Sequence, residues 1–319
     1  MTTPDQIDCS LDRRRLLQGG ALLAASTLVV TGIDAVTNSA QAATEDPGLV
    51  PIPMPAQVPA KEGMLKLKDV SLYYWDTGGS GTPIILFHPF TGSGKVWQYQ
   101  QPVFAKAGYR VIGYSRRGFN GSESGPKDKP GTGSGDVLEM LDVLGIQKFH
   151  AVASAGGAFV AADFAISYPE RLQSLVLACS ILGASGGEFS KMTKNLRPPG
   201  YENLSEAFHE LSPSYRAANP EGTDIWTHNQ ETSRNGEGGI NQPYANKITL
   251  EALEKFTIPV LLMGGGADLI APPPVVRLFA KHIPKSELVI VNEAGHSAYW
   301  ERPDVFNAAV LKFIRKHRK

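Results

Sequence analysis

Short, mostly apolar runs alternate with helical patterns along most of this chain, and that alternation leaves few folds open. Pro83–Phe87, Tyr109–Tyr114, Phe149–Ala153, Ser174–Ala178, Pro259–Met263 and Leu288–Asn292 read as strands. Helical patterns lie around Val96–Ala107, Gly135–Leu144, Gly156–Tyr168, Pro274–Lys281 and Asp304–His317. Strands without polar alternation must be covered on both faces. Repeated β–α units of this kind call for an α/β class, with a mostly parallel central sheet flanked by helices. Ahead of them, Leu65–Leu67 and Val70–Trp75 alternate in a strand-like manner.

At 319 residues, 42% of them hydrophobic, the chain can bury one main domain with insertions. Basic and acidic residues balance at 31 each, which argues against a nucleic-acid groove or a basic membrane face. Residues 1–42 read as an address. Asp12-Arg13-Arg14-Arg15-Leu16-Leu17-Gln18 resembles the bacterial twin-arginine export motif. The apolar stretch Gly19–Val30 is too short to span a bilayer, and Ala40-Gln41-Ala42 offers small residues for signal peptidase. The expectation is a periplasmic or secreted protein with no stable membrane anchor after cleavage. Cleavage leaves 28 basic and 27 acidic residues, still near neutral. It also removes Cys9, so the mature chain keeps only Cys179 and cannot form an internal disulfide. Cys179 follows a strand and suits packing rather than chemistry. No Cys/His spacing suggests a metal site.

The segment Phe149-His150-Ala151-Val152-Ala153-Ser154-Ala155-Gly156-Gly157 passes from strand to helix, and Tyr168-Pro169-Glu170-Arg171 follows downstream. It resembles the α/β-hydrolase fold, whose members typically read F-H-L-V-G-H-S-M-G-G and then Y-P-E-R. Aligned without a gap, Ala155 takes the position of the nucleophilic serine. Ala153 and Gly157 are then the small neighbours that a strained elbow requires. Ser154 offers a rival register, but it would place β-branched Val152 against the tight turn. Two origins fit an alanine at this point. Either an original serine has been replaced, or a natural pseudoenzyme binds without cleaving. The intact remainder of the site favours the first.

The resemblance spans about residues 64–317 and implies further roles. Asp268, just beyond the strand Pro259–Met263, would be the acid, and His296, after the last strand, the base. Phe87-His88-Pro89-Phe90-Thr91-Gly92 stands where the family carries H-G-x, so Phe90 and Gly156 would donate the oxyanion-hole N–H groups. His88 would brace this loop, and with Tyr215 and Trp226 it completes the residues expected around the substrate, although the two cap aromatics could equally form the cap's own core. Tyr114-Ser115-Arg116-Arg117-Gly118-Phe119-Asn120-Gly121-Ser122 resembles the D-x-R-G-x-G-x-S turn. Its two arginines could reach a substrate carboxylate, yet an ion pair or loop brace is the better reading.

The domain plan that follows is a signal at 1–42, a Pro-rich linker or arm at 43–63, a core at 64–182 and 256–319, and a small helical cap at 183–255 inserted after the sixth strand. The expected chemistry is Ser-His-Asp hydrolysis of a carboxylic ester or lactone, without cofactor or metal, in a form silenced at Ala155. A ligand-binding pseudoenzyme, carbon–carbon bond hydrolysis and cofactor-free perhydrolysis are the alternatives on the same fold.

Overall fold

The computed structural model describes residues 50–194, 196–235 and 242–318. The twin-arginine segment and the start of the Pro-rich arm lie outside those residues. Eight strands form one sheet in the order β1-β2-β4-β3-β5-β6-β7-β8. They are β1 (Lys61–Lys66), β2 (Ser71–Asp76), β3 (Pro83–Phe87), β4 (Arg110–Tyr114), β5 (Phe149–Ser154), β6 (Leu172–Ala178), β7 (Val260–Gly265) and β8 (Glu287–Val291). β2 pairs antiparallel with both β1 and β4, and the ladders from β4 through β8 are parallel. This is the mostly parallel, helix-flanked sheet expected from the sequence. Central β5 is buried at every residue, whereas edge strand β1 is mostly exposed.

The chain leaves β3 toward β4 on one side, then returns to place β5 on the other. This reversal opens a crevice at the carboxyl ends of β3 and β5, where ligands bind in open α/β sheets. Helices α1 (Gln101–Lys106), α2 (Gly133–Val143) and α3 (Gly156–Ser167) connect these strands. α3 is apolar nearly all round and accordingly buried along most of its length. Its start approaches β3 so closely that a Cβ on Gly157 would strike the Phe87 and His88 carbonyl oxygens. Only glycine fits that contact.

Between β6 and β7 the chain forms short helices α4 (Gly187–Thr193), α5 (Glu206–Glu210), α6 (Pro213–Ala218), α7 (Pro220–Glu231) and α8 (Leu250–Leu253). This is the helical insertion after the sixth strand. α9 (Pro273–His282), α10 (Ala298–Glu301) and α11 (Pro303–Lys316) complete the fold. Two apolar cores lie on the sheet's faces, one containing Phe149, Phe164 and Phe279, the other Trp97, Tyr299 and Trp300. Among the described residues no helix is long and apolar enough to cross a membrane.

Candidate active site

β5 ends at Ser154 and α3 begins at Gly156, so Ala155 alone makes the turn between them. Its φ of 48° and ψ of −117° are strained for a residue with a Cβ. Such a conformation costs on the order of 1–3 kcal/mol and persists only where its surroundings enforce it. Here the Ala155 N–H donates to the Ala178 carbonyl at 2.9 Å, and Ser180 Oγ donates to the Ala155 carbonyl at 2.8 Å. Ser154, the rival nucleophile, is fully buried in the strand, and its Oγ has no hydrogen-bond partner. A hydroxyl there faces packed protein rather than the crevice.

Asp268 and His296 come from the loops after β7 and β8. Those loops meet because Gly265 lets the later one cross directly over the end of β7; a Cβ at Gly265 would strike the Ala294 and Gly295 carbonyls. His296 Nδ1 then lies 2.9 and 3.0 Å from the two Asp268 carboxylate oxygens. Asp268 Oδ1 also accepts the N–H groups of Ile270 and Ala271, both at 2.8 Å, which fixes the carboxylate. Both residues are buried. Burial works against a charged imidazole, but Asp268, with Glu210 and Glu301 behind it, outweighs that effect and raises the His296 pKa to about 9.

Those two glutamates were not singled out in the sequence. Glu210, at the end of α5, uses its carbonyl to accept the His296 N–H at 2.7 Å. Its side chain accepts from Thr91 Oγ1 at 3.0 Å and Ser297 Oγ at 3.1 Å, tying the insertion to both the loop after β3 and the loop that carries His296. Burial raises its pKa. Glu301, in α10, accepts the Gly295 N–H at 2.9 Å and the Ser212 N–H at 2.9 Å, and burial pushes its pKa up to about 7.

On the other side of the crevice, the loop after β3 carries Phe90, whose ring packs over Gly156; a Cβ on Gly156 would run into it. His88 is fully buried beneath that loop. Its Nδ1 donates to the Pro89 carbonyl at 2.8 Å and its Nε2 accepts the Arg116 N–H at 3.0 Å, so the ring is held neutral. Burial and the neighbouring Arg116 charge both lower its pKa well below the usual histidine value. His88 therefore braces the loop and cannot touch a substrate.

Tyr215 and Trp226 also depart from the expected substrate wall. Both are buried in the core that includes Leu211, Tyr299 and Trp300. Trp226 Nε1 donates to Ser297 Oγ at 3.2 Å, while the Tyr215 hydroxyl accepts from Asn219 Nδ2 at 3.1 Å. These aromatics build the seat of the cap, since an amphipathic insertion must bury its large rings against the body. Cys179 is buried as well, and burial pushes its thiol pKa up, which makes it inert.

An elbow, a carboxylate-bound histidine and a backbone loop, all at the sheet's switch point, agree with the sequence profile of the α/β hydrolase fold, which matches residues 82–303. The chain belongs to the α/β-hydrolase fold family. It is 29% identical over 272 residues to the 2-hydroxy-6-oxononadienedioate/2-hydroxy-6-oxononatrienedioate hydrolase of Burkholderia vietnamiensis, covering 78% of this chain and 92% of the relative. It is 28% identical over 263 residues to the 3-oxoadipate enol-lactonase 2 of Acinetobacter baylyi, covering 79% of this chain and 96% of the relative. Among solved structures, a bromoperoxidase from Bacillus anthracis superposes with a TM-score of 0.64 at 22% identity, over 80% of this chain and 100% of that one. This last likeness is one of fold. Ala155, Phe90, Asp268 and His296 are each carried by a turn or loop at the carboxyl end of a strand, while Glu210 comes from α5 and Glu301 from α10.

Proposed function

We propose that this α/β-hydrolase is a serine hydrolase of carboxylic esters or lactones whose nucleophile position holds Ala155. The observation that carries this reading is the pairing of the strained Ala155 elbow with the buried Asp268–His296 couple. The enol-lactonase relative supports the substrate class. With a serine at the elbow, Oγ attacks the substrate carbonyl as His296 Nε2 takes its proton. The N–H groups of Phe90 and Gly156 hold the developing oxyanion, and the alcohol leaves with the proton from His296. Water, deprotonated by the same imidazole, then releases the acid. A methyl group can neither attack nor donate a proton, so the chain as it stands binds substrate and stops there.

The test compares this chain with its Ala155→Ser variant on esters of graded acyl length. The variant should exceed the parent by on the order of 10³-fold or more in kcat. Equal turnover by the parent would remove Ala155 from the nucleophile position. A silent variant that still binds ligands would make the protein a binding module. Adding a β-diketone, and acetate with peroxide, to the panel separates carbon–carbon hydrolysis and perhydrolysis from ester cleavage.

A further inference from the structure

A cavity of about 230 Å³ opens beside the oxyanion loop, with Phe90, Arg116, Phe119, Arg234 and Tyr244 in its wall. Arg117 also reaches it but brings no net charge, because Nε and Nη2 engage Asp136 at 2.8 and 2.6 Å. Arg116 has no such relief. It is only 6% exposed, and its Nη2 donates to the carbonyls of His88 at 3.1 Å and Pro89 at 3.0 Å. Its guanidinium lies 4.6 Å from the centroids of both Phe90 and Phe119. Neutral acceptors and ring faces orient a cation without neutralising it. Burial accordingly draws its pKa down to about 10.

Arg234 stands over the same Phe119 ring, again at 4.6 Å, and its Nη2 donates to the Phe90 carbonyl at 3.5 Å. Among the described residues neither Arg116 nor Arg234 forms an ion pair. Among the described residues, two guanidiniums thus converge on one phenyl ring in a partly dry cavity with no carboxylate paired to either. A buried cation of this kind is strongly unfavourable unless an anion completes it. The cavity also shares a wall with the elbow, because the Phe90 ring that meets Arg116 is the ring packed over Gly156.

We propose that this cavity receives a free carboxylate of the substrate, so that the preferred substrates are esters or lactones bearing a second acid group. A carboxylate is flat, carries a single charge and matches the guanidinium fork, and the volume admits it with a short alkyl stem. The aromatic walls accept that stem. This inference rests on the hydrolase reading only for the reacting end of the substrate.

The test uses the Ala155 protein, which binds without consuming its ligand. Monoethyl esters of linear dicarboxylic acids from succinate to adipate are titrated calorimetrically against the matching diethyl esters. The best monoester should bind about tenfold or more tightly than its uncharged diester, as a charge-assisted hydrogen bond requires. That preference should weaken with salt and be lost in Arg116→Met. Because Arg116 also braces the loop, the exposed Arg234 provides the second arm, and Arg234→Glu, which can itself pair with Arg116, should abolish the preference without lowering the thermal unfolding temperature. Equal affinity for monoester and diester in the unaltered chain overturns the proposal, as does a preference untouched by Arg234→Glu. The Ala155→Ser protein separates the two readings. Cleavage of neutral and charged esters alike removes the carboxylate site and leaves the hydrolase. Selective carboxylate binding without any cleavage keeps the site and removes the hydrolase.

Discussion

Three carboxylates crowd the His296 imidazole, and the proton they hold there drives two quantities in opposite directions. Folding raises the His296 pKa from its ordinary value near 6.5 to about 9. The folded protein therefore binds more protons than the unfolded chain within that window. The stabilisation is complete below about pH 6.5 and is lost as pH rises through about 9. Glu301, raised to about 7, acts in the same direction at lower pH, since its folded form also holds a proton that the unfolded chain releases. Urea unfolding should thus show lower stability at about pH 9.5 than at about pH 6. Activity runs the other way. A general base must be unprotonated, so the Ala155→Ser protein should gain kcat/KM with rising pH up to about 9. A His296 resonance titrating near the ordinary histidine pKa in the Ala155 protein would contradict both expectations.

Helix α5 is five residues long, yet through Glu210 it touches both loops that would act on a substrate. Glu210 is a positioning residue, because it acts on His296 and on the oxyanion loop rather than on substrate. Glu210→Gln, made in the Ala155→Ser protein, removes one negative charge from the histidine and one acceptor from the Thr91–Ser297 pair. We expect kcat to fall about tenfold, the effect of a lost charge-assisted hydrogen bond, with KM little changed. The ascending limb of the pH profile should move to lower pH, because one carboxylate that raises the His296 pKa is gone. A profile that stays in place would mean Glu210 only fills space. The central parallel strands, by contrast, could be read from the sequence within a residue or two, since they carry uninterrupted apolar runs, whereas edge strand β1 begins at Lys61 and not at Leu65. Helix α1 was read too long, from Val96, whereas it begins at Gln101. Pro102 explains this, because proline lacks an N–H and fits only the first turn. Asp268 and His296 were visible through their order after successive strands. Glu210 and Glu301 were not, because no local pattern marks a buried acid that meets its partner across 87 residues, as Glu210 meets Ser297. Tyr215 and Trp226 could not be assigned from the sequence for the converse reason, since aromatic composition is the same for a pocket wall and for a cap's own core, where they lie.

At the scale of the whole molecule, the Pro-rich arm can be either a tether or part of the folded body, and the two readings differ in stability. Residues 50–60 form no regular element, as five prolines between 47 and 59 dictate by removing backbone donors. They are nonetheless held. Gln101 is bonded in both directions to Val58, accepting its N–H at 3.0 Å and donating to its carbonyl at 2.7 Å. Gln57 Nε2 donates to the Gln98 carbonyl at 2.8 Å, and the Tyr99 hydroxyl to the Ile52 carbonyl at 2.8 Å. The segment these bonds reach is tied in turn to the histidine side of the fold, where Gln100 Nε2 donates to the Tyr299 carbonyl at 2.8 Å. Four hydrogen bonds, each worth about 1 kcal/mol net, and the partly buried Ile52 together set the scale. Deletion through residue 60 should lower unfolding free energy by about 2–4 kcal/mol, read from urea midpoints against a chain beginning at residue 43. A free tether would leave those midpoints equal. The expected loss follows from geometry rather than composition, because a proline-rich stretch gains order only where another part of the chain offers its polar groups a partner.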